Sequence, residues 1–184
     1  MRKIYIDVGA NLGETLAKFG ASNPGYELYA IEPNIKLLTS IAHNAAKIQR
    51  KVTIVPAAAW VCDGIIQLFH SARHESATVV QGKRTNVEDG WPPIDYSCPT
   101  EVRCFDFATW ISENFRFTEL IVKMDIEGAE YQVLGKMLSE GTLRLIRTLY
   151  CEWHYDRLPQ VSAEEHTSLK KRVAEVTELF DWEP

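Results

Sequence analysis

Cysteine is scarce in this chain and scattered: Cys62, Cys98, Cys104 and Cys151 are its only four. No close Cys/His pairs carry zinc-site spacing, which sets aside a zinc-built scaffold. The thiols read as structural residues in a reducing compartment. No apolar run approaches the roughly 20 residues that a membrane span requires. The N-terminus reads as a core strand, with no basic region, signal segment or cleavage site. These absences predict a cytoplasmic protein with no membrane partner. Positive charge is not in excess either: 20 Lys and Arg stand against 25 Asp and Glu, a net charge of -5. No global field draws the chain to nucleic acid, which argues against a nucleic-acid substrate. Internal repeats and low-complexity tracts are absent.

What remains is an ordinary globular composition, 46% hydrophobic and 24% charged over 184 residues. That length predicts one domain, 1–184, with a sizeable core. Strands and helices alternate, which predicts a doubly wound α/β fold with a mostly parallel sheet. Strands are expected at Ile4–Val8, Glu27–Ile31, Val52–Val55, Leu120–Met124 and Leu145–Glu152, with a short one at Val102–Phe105. Helices are expected at Glu14–Phe19, after Pro33, at Phe107–Asn114, at Ala129–Ser139, and after the capping box of Ser162 and Glu165. The helix after Pro33 should bury Ile35, Leu38, Ile41, Ala42, Ala45 and Ile48. The last helix should bury Leu169, Val173, Val176 and Phe180. Asp63-Gly64 reads as a hairpin turn between Ala58–Val61 and Ile65–Phe69. From Ser71 to Glu101 the chain is polar and turn-rich, which predicts a substrate-side insertion or lid at 71–101. Arg73, His74, Lys83 and Arg84 make that segment locally basic.

The most informative stretch is Ile4 to Thr15, an apolar strand, then Asp7, then a glycine-rich turn that opens a helix. Gly9 and Gly13 permit torsions that a Cβ forbids and let a ligand lie against the main chain. The helix start suits a carboxylate or phosphate. Glu32 ends the next strand, at the distance expected of a carboxylate gripping ribose hydroxyls. The spacing departs from that of a dinucleotide site, because Asn11 and Glu14 fall where its second and third glycines would stand. Asp7 would face a pyrophosphate poorly and would suit a cofactor with an ammonium and a sulfonium.

Asp7 to Thr15, Asp-Val-Gly-Ala-Asn-Leu-Gly-Glu-Thr, resembles the first motif of the FkbM-type S-adenosylmethionine-dependent methyltransferases. Ile31-Glu32-Pro33-Asn34 resembles the second. Lys123-Met124-Asp125-Ile126-Glu127-Gly128-Ala129-Glu130, followed by Val133-Leu134-Gly135, resembles the most distinctive one. Cys104-Phe105-Asp106 and Cys151-Glu152-Trp153-His154 stand at two further strand ends of the family. The motifs run in family order over about 150 residues. The resemblance implies a Rossmann-like class I fold, and strand order 3-2-1-4-5 is expected; the chain departs from the class at its C-terminal end, where shortened strands, with one short strand near Phe180, stand in place of the usual antiparallel pair. It implies S-adenosylmethionine as cofactor, held by Asp7, Gly9, Ala10, Asn11, Gly13, Thr15, Glu32 and Pro33. The sheet edge left at the C-terminus is either trimmed or covered by a second copy, as in a homo-oligomer.

Methyl transfer to a hydroxyl needs a proton acceptor. Asp125, at a strand end beside the cofactor strand, and His154, after the next strand, are the candidates. Glu127, Glu130 and Glu152 are candidate substrate-binding carboxylates. Asp125, Glu127 and Glu130 could also hold a divalent ion, or the two glutamates could cap the following helix; no metal is assigned. Lys123, within an apolar strand, should be ion-paired with Asp7, Asp125 or Glu152. The expected activity is O-methylation of a small molecule or of a sugar or glycan hydroxyl. The alternatives are an NAD-dependent oxidoreductase and a non-catalytic cofactor-binding scaffold.

Overall fold

A computed structural model of the chain describes residues 1–73, 76–85 and 90–183. His74, singled out above, lies outside the described residues. Among these residues a six-stranded sheet runs in the order β3-β2-β1-β7-β8-β9. Its strands are β1 (Lys3–Val8), β2 (Glu27–Ile31), β3 (Val52–Val55), β7 (Glu119–Met124), β8 (Thr148–Cys151) and β9 (Glu178–Asp181), and every pairing is parallel. The expected 3-2-1-4-5 order is present. The C-terminal end adds one parallel strand, β9, outside β8.

The two faces of β1 explain the layering. Ile4, Ile6 and Val8 point to one side, where they pack with α3 (Phe107–Asn114), α4 (Glu130–Glu140) and α5 (Ala163–Ala174). Tyr5 points to the other, against Leu16 of α1 (Glu14–Ser22) and Ile41 of α2 (Leu38–Lys47). Apolar residues on both faces are what a buried parallel strand requires. The same alternation puts Asp7 beside Lys123, its register partner on β7. The capping box is present: Ser162 Oγ accepts from Glu165 N, and Glu165 accepts from Ser162 N.

Several details differ from expectation. Asp63-Gly64 does not close a hairpin. β4 (Ala58–Trp60) and β5 (Gly64–Ser71) both flank β6 (Ile94–Asp106), β4 parallel to it and β5 antiparallel. The end of the 71–101 segment is therefore strand, not loop. α2 begins at Leu38, so Ile35 precedes it and is exposed, as is Ala42. α5 ends at Ala174; Val176 lies beyond it and Phe180 lies on β9, both exposed. No described helix is long and apolar enough to cross a membrane.

Candidate functional site

The carboxyl ends of β1, β2, β7 and β8 meet at one edge of the sheet, the place where open α/β folds bind ligands. The loop after β1 is bound to the end of β2, because Gly9 N and Ala10 N both donate to Ile31 O at 3.0 Å. Gly9 has φ +77°, and an added Cβ would stand 1.7 Å from Asp125 O. Only glycine fits between these two strand ends. Gly13 N donates to Ala10 O, and Gly13 itself starts α1 at φ 78°.

Glu32 completes the loop. Its Oε2 accepts Asn11 N and its Oε1 accepts Asn34 N, each at 2.9 Å. A carboxylate has about four lone-pair sites, so acceptor capacity remains. Glu32 is buried, and burial pushes its pKa to about 7 against the pull of the two amides. Gly9, Asn11, Glu32 and Pro33 line a cleft of about 570 Å³, counted with its open solvent. Ala58, Leu68, Ala77, Val79, Asp125, Ile126 and Glu127 complete much of its wall. Ala77 and Val79 belong to the 71–101 segment, which is tied down where Thr78 Oγ1 donates to Glu127 O and Arg84 N donates to Arg157 O.

Four of the predicted cofactor residues therefore line the cleft. Ala10, Gly13 and Thr15 do not line it; the first two shape the turn beneath. Asp7 is a correction. It is wholly buried and faces Lys123 Nζ at 3.3 Å, not the cleft. Strand alternation sends its side chain under the loop. Lys123 Nζ also reaches Asp125 Oδ2 at 3.2 Å and donates to Gly9 O at 3.1 Å. Burial works against the charge of Lys123, but Asp7 and Asp125 outweigh it and hold its pKa above the ordinary value. The expected ion pair is present, and it ties the β1 loop to β7.

Beside the cleft stand the predicted acids and the histidine. Glu130, expected at the substrate, is wholly buried. Its Oε1 accepts Ile126 N at 3.0 Å and Gly128 N at 3.3 Å, and lies 3.1 Å from His154 Nδ1. It holds the loop and the imidazole in place. Glu127 takes a left-handed φ of 58°, uncommon for a non-glycine residue and frequent at functional loops. Glu152 lies 3.4 Å from His154 Nε2, and its pKa is raised by burial and by Asp125. Asp125, Glu130 and His154 can each offer a ligand atom within 4.8 Å of the others, the spacing of a possible metal set.

Sequence reasoning missed one residue. Lys83, expected on a basic surface, is buried with its ammonium against Glu127 Oε2. Burial, with Arg157 nearby, lowers its pKa to about 8. No pattern around Lys83 distinguishes it from an exposed lysine in a polar segment.

The sequence profile of one family, described as Methyltransferase FkbM domain, matches residues 7–180. Neither a comparison with curated proteins nor one with solved structures returns a match.

Proposed function

The chain belongs to the FkbM methyltransferase family, and from that premise we propose that it uses S-adenosylmethionine to methylate a hydroxyl of a small molecule or of a sugar or glycan. The observation that carries this reading is the shared wall of the cleft: Gly9, Glu32, Asp125 and Glu127 all line it. The cofactor fits what the residues offer, a glycine cradle that a Cβ would fill and a buried carboxylate with acceptor capacity left. When bound, it supplies a methyl group on a sulfonium.

Glu32 would accept the ribose hydroxyls, and the amides of the β1 loop would lie against the amino-acid end. Asp125 lines the cleft, so it can reach a substrate hydroxyl and take its proton. His154 is wholly buried and acts from behind the carboxylates. Glu127 and Glu152 are left to orient substrate hydroxyls. Within the 71–101 segment, Ala77 and Val79 would cover this mouth, held by the bond from Thr78 Oγ1 to Glu127 O. The four unbridged cysteines support a cytoplasmic setting.

Calorimetric titration with S-adenosylhomocysteine and with NAD tests the cofactor. Binding of the first alone is expected. Binding of NAD alone would overturn the reading in favour of an oxidoreductase. Transfer of labelled methyl from S-adenosylmethionine to a panel of polyhydroxylated acceptors then separates an enzyme from a scaffold.

A further inference from the structure

We infer that the chain binds a divalent metal ion between Asp125, Glu127, Glu152 and His154. The imidazole of His154 is wholly buried. Glu130 holds its Nδ1 from behind, at 3.1 Å. The other nitrogen, Nε2, has no hydrogen-bond partner among the described residues. It points at three carboxylates: Glu152 Oε1 at 3.4 Å, Glu127 Oε2 at 3.5 Å and Asp125 Oδ1 at 3.9 Å.

These separations are too long for charge-assisted hydrogen bonds, which close to about 2.8 Å. From Nε2 to each oxygen they are distances that two ligands of one cation can have, roughly 3–4 Å when each is about 2.1 Å from the ion. An imidazolium would supply positive charge, but its N–H would close on one oxygen instead of standing off from three. With the Nδ1 proton donated to Glu130, Nε2 turns a lone pair toward oxygens that also carry lone pairs. A cation between them removes the conflict. A buried carboxylate behind the imidazole is the arrangement that fixes tautomer and ring angle in metal sites.

Charge points the same way. Five carboxyl groups, of Asp7, Asp125, Glu127, Glu130 and Glu152, gather around three basic side chains, Lys83, Lys123 and Arg157. A cation would offset that excess of acidic groups. Lys83 competes for this ring, since its ammonium touches Glu127 Oε2. One imidazole among carboxylates suits Mn²⁺, Fe²⁺ or Zn²⁺ better than Ca²⁺. Asp125 and Glu127 also line the cleft, so the remaining coordination positions face it. Two neighbouring positions would take two neighbouring oxygens, which makes the substrate class a compound with adjacent hydroxyls. That substrate assignment rests on the methyl-transfer reading; the metal site does not.

The test is titration of Mn²⁺, then Zn²⁺, into the purified chain, read by calorimetry and by the electron paramagnetic resonance of free Mn²⁺, with S-adenosylhomocysteine titrated separately. One ion per chain is expected. Glu152→Gln and Asp125→Asn should each weaken uptake by about tenfold or more, and Lys83→Gln should tighten it. His154→Gln should abolish it. Cooperative thermal unfolding checks each variant, and the partly exposed Glu152 keeps the test independent of the buried histidine. No uptake of either ion up to about 1 mM, a weak limit for a protein site, overturns the inference. So does uptake indifferent to Glu152→Gln and Asp125→Asn. Binding of S-adenosylhomocysteine without metal uptake sinks the metal site alone; metal uptake without it sinks the cofactor reading alone.

Discussion

Replacing Glu32 by alanine separates ligand binding from folding at one residue. The carboxylate accepts Asn11 N and Asn34 N, each at 2.9 Å. In the complex it would accept two ribose hydroxyls as well. Removing those two charge-assisted bonds should weaken S-adenosylhomocysteine binding by about 2–4 kcal/mol, or about 30-fold to 1,000-fold. Folding should change less, because two terms oppose. Two backbone amides lose an acceptor, at about 1–3 kcal/mol each if they stay dry. Against that, a carboxylate with a pKa of about 7, against an ordinary 4.5, ionises at a cost. The difference corresponds to about 3 kcal/mol above pH 7, which alanine relieves. Affinity should therefore collapse while the unfolding midpoint moves by only a few degrees. Glu32→Gln is the stricter variant. It keeps one acceptor, but its NH₂ must face Asn11 N or Asn34 N. Calorimetry at about pH 8, where the carboxylate is ionised, with thermal unfolding of the ligand-free chain, reads both quantities. If Glu32→Ala binds within about threefold of the parent, a change under about 0.7 kcal/mol, Glu32 is not the ribose ligand. If affinity and the unfolding midpoint collapse together, its main role is to hold the loop.

The parallel sheet was legible because its strands are buried on both faces and read as short apolar runs between helices. β6 was not. Its first half alternates with exposed polar residues, and Pro99 lies within it, which in a sequence demotes a strand. The structure accommodates the proline at a register shift: Thr100 lies opposite Leu68, but Asp95 lies opposite His70. The Asp63-Gly64 turn had the right chemistry and the wrong partner. Both strands beside it found β6, whose paired residues lie between 23 and 46 positions downstream, a distance that no local signal reports.

The site was legible where an acid or a glycine followed an apolar strand. Gly9, Asn11, Glu32 and Asp125 all line the cleft. Asp7 and Glu130 have the same residue type in the same motifs, yet they face inward. Which way a carboxylate turns at a strand end depends on the pleat and on the loop beyond it. Lys123 was readable because a lysine within an apolar strand must find a partner. Lys83 was not, since its partner lies on another loop, 44 positions away at Glu127.

Cofactor affinity should depend on pH through Glu32. Hydroxyls donate to the ionised form, so affinity should fall by up to about tenfold per unit below its pKa of about 7 and level off above it; a profile that is flat in the parent, or unchanged in Glu32→Gln, refutes the link. Gly9→Ala should cost more than about 3 kcal/mol, because a Cβ 1.7 Å from Asp125 O adds a clash to a left-handed φ. Denaturant unfolding measures it, and a loss under about 1 kcal/mol would mean that the two loops can part. The remaining prediction concerns the proton. Asp125→Asn keeps the shape of the side chain and removes its charge. Lys123 retains Asp7 at 3.3 Å, so the tie between β1 and β7 should survive. Glu32 and Gly9 are untouched, so S-adenosylhomocysteine affinity should shift by less than about threefold, under 0.7 kcal/mol. Turnover on a verified acceptor should nevertheless fall by about 100-fold or more if Asp125 takes the hydroxyl proton or holds the ion that acidifies it. Added Mn²⁺ divides these two cases. As a metal ligand, Asp125→Asn should regain part of its turnover when Mn²⁺ is raised enough to refill the site. As the base alone, it should stay slow at every metal concentration. Near-parent turnover without added metal would remove Asp125 from the chemistry altogether and leave it as a partner of Lys123.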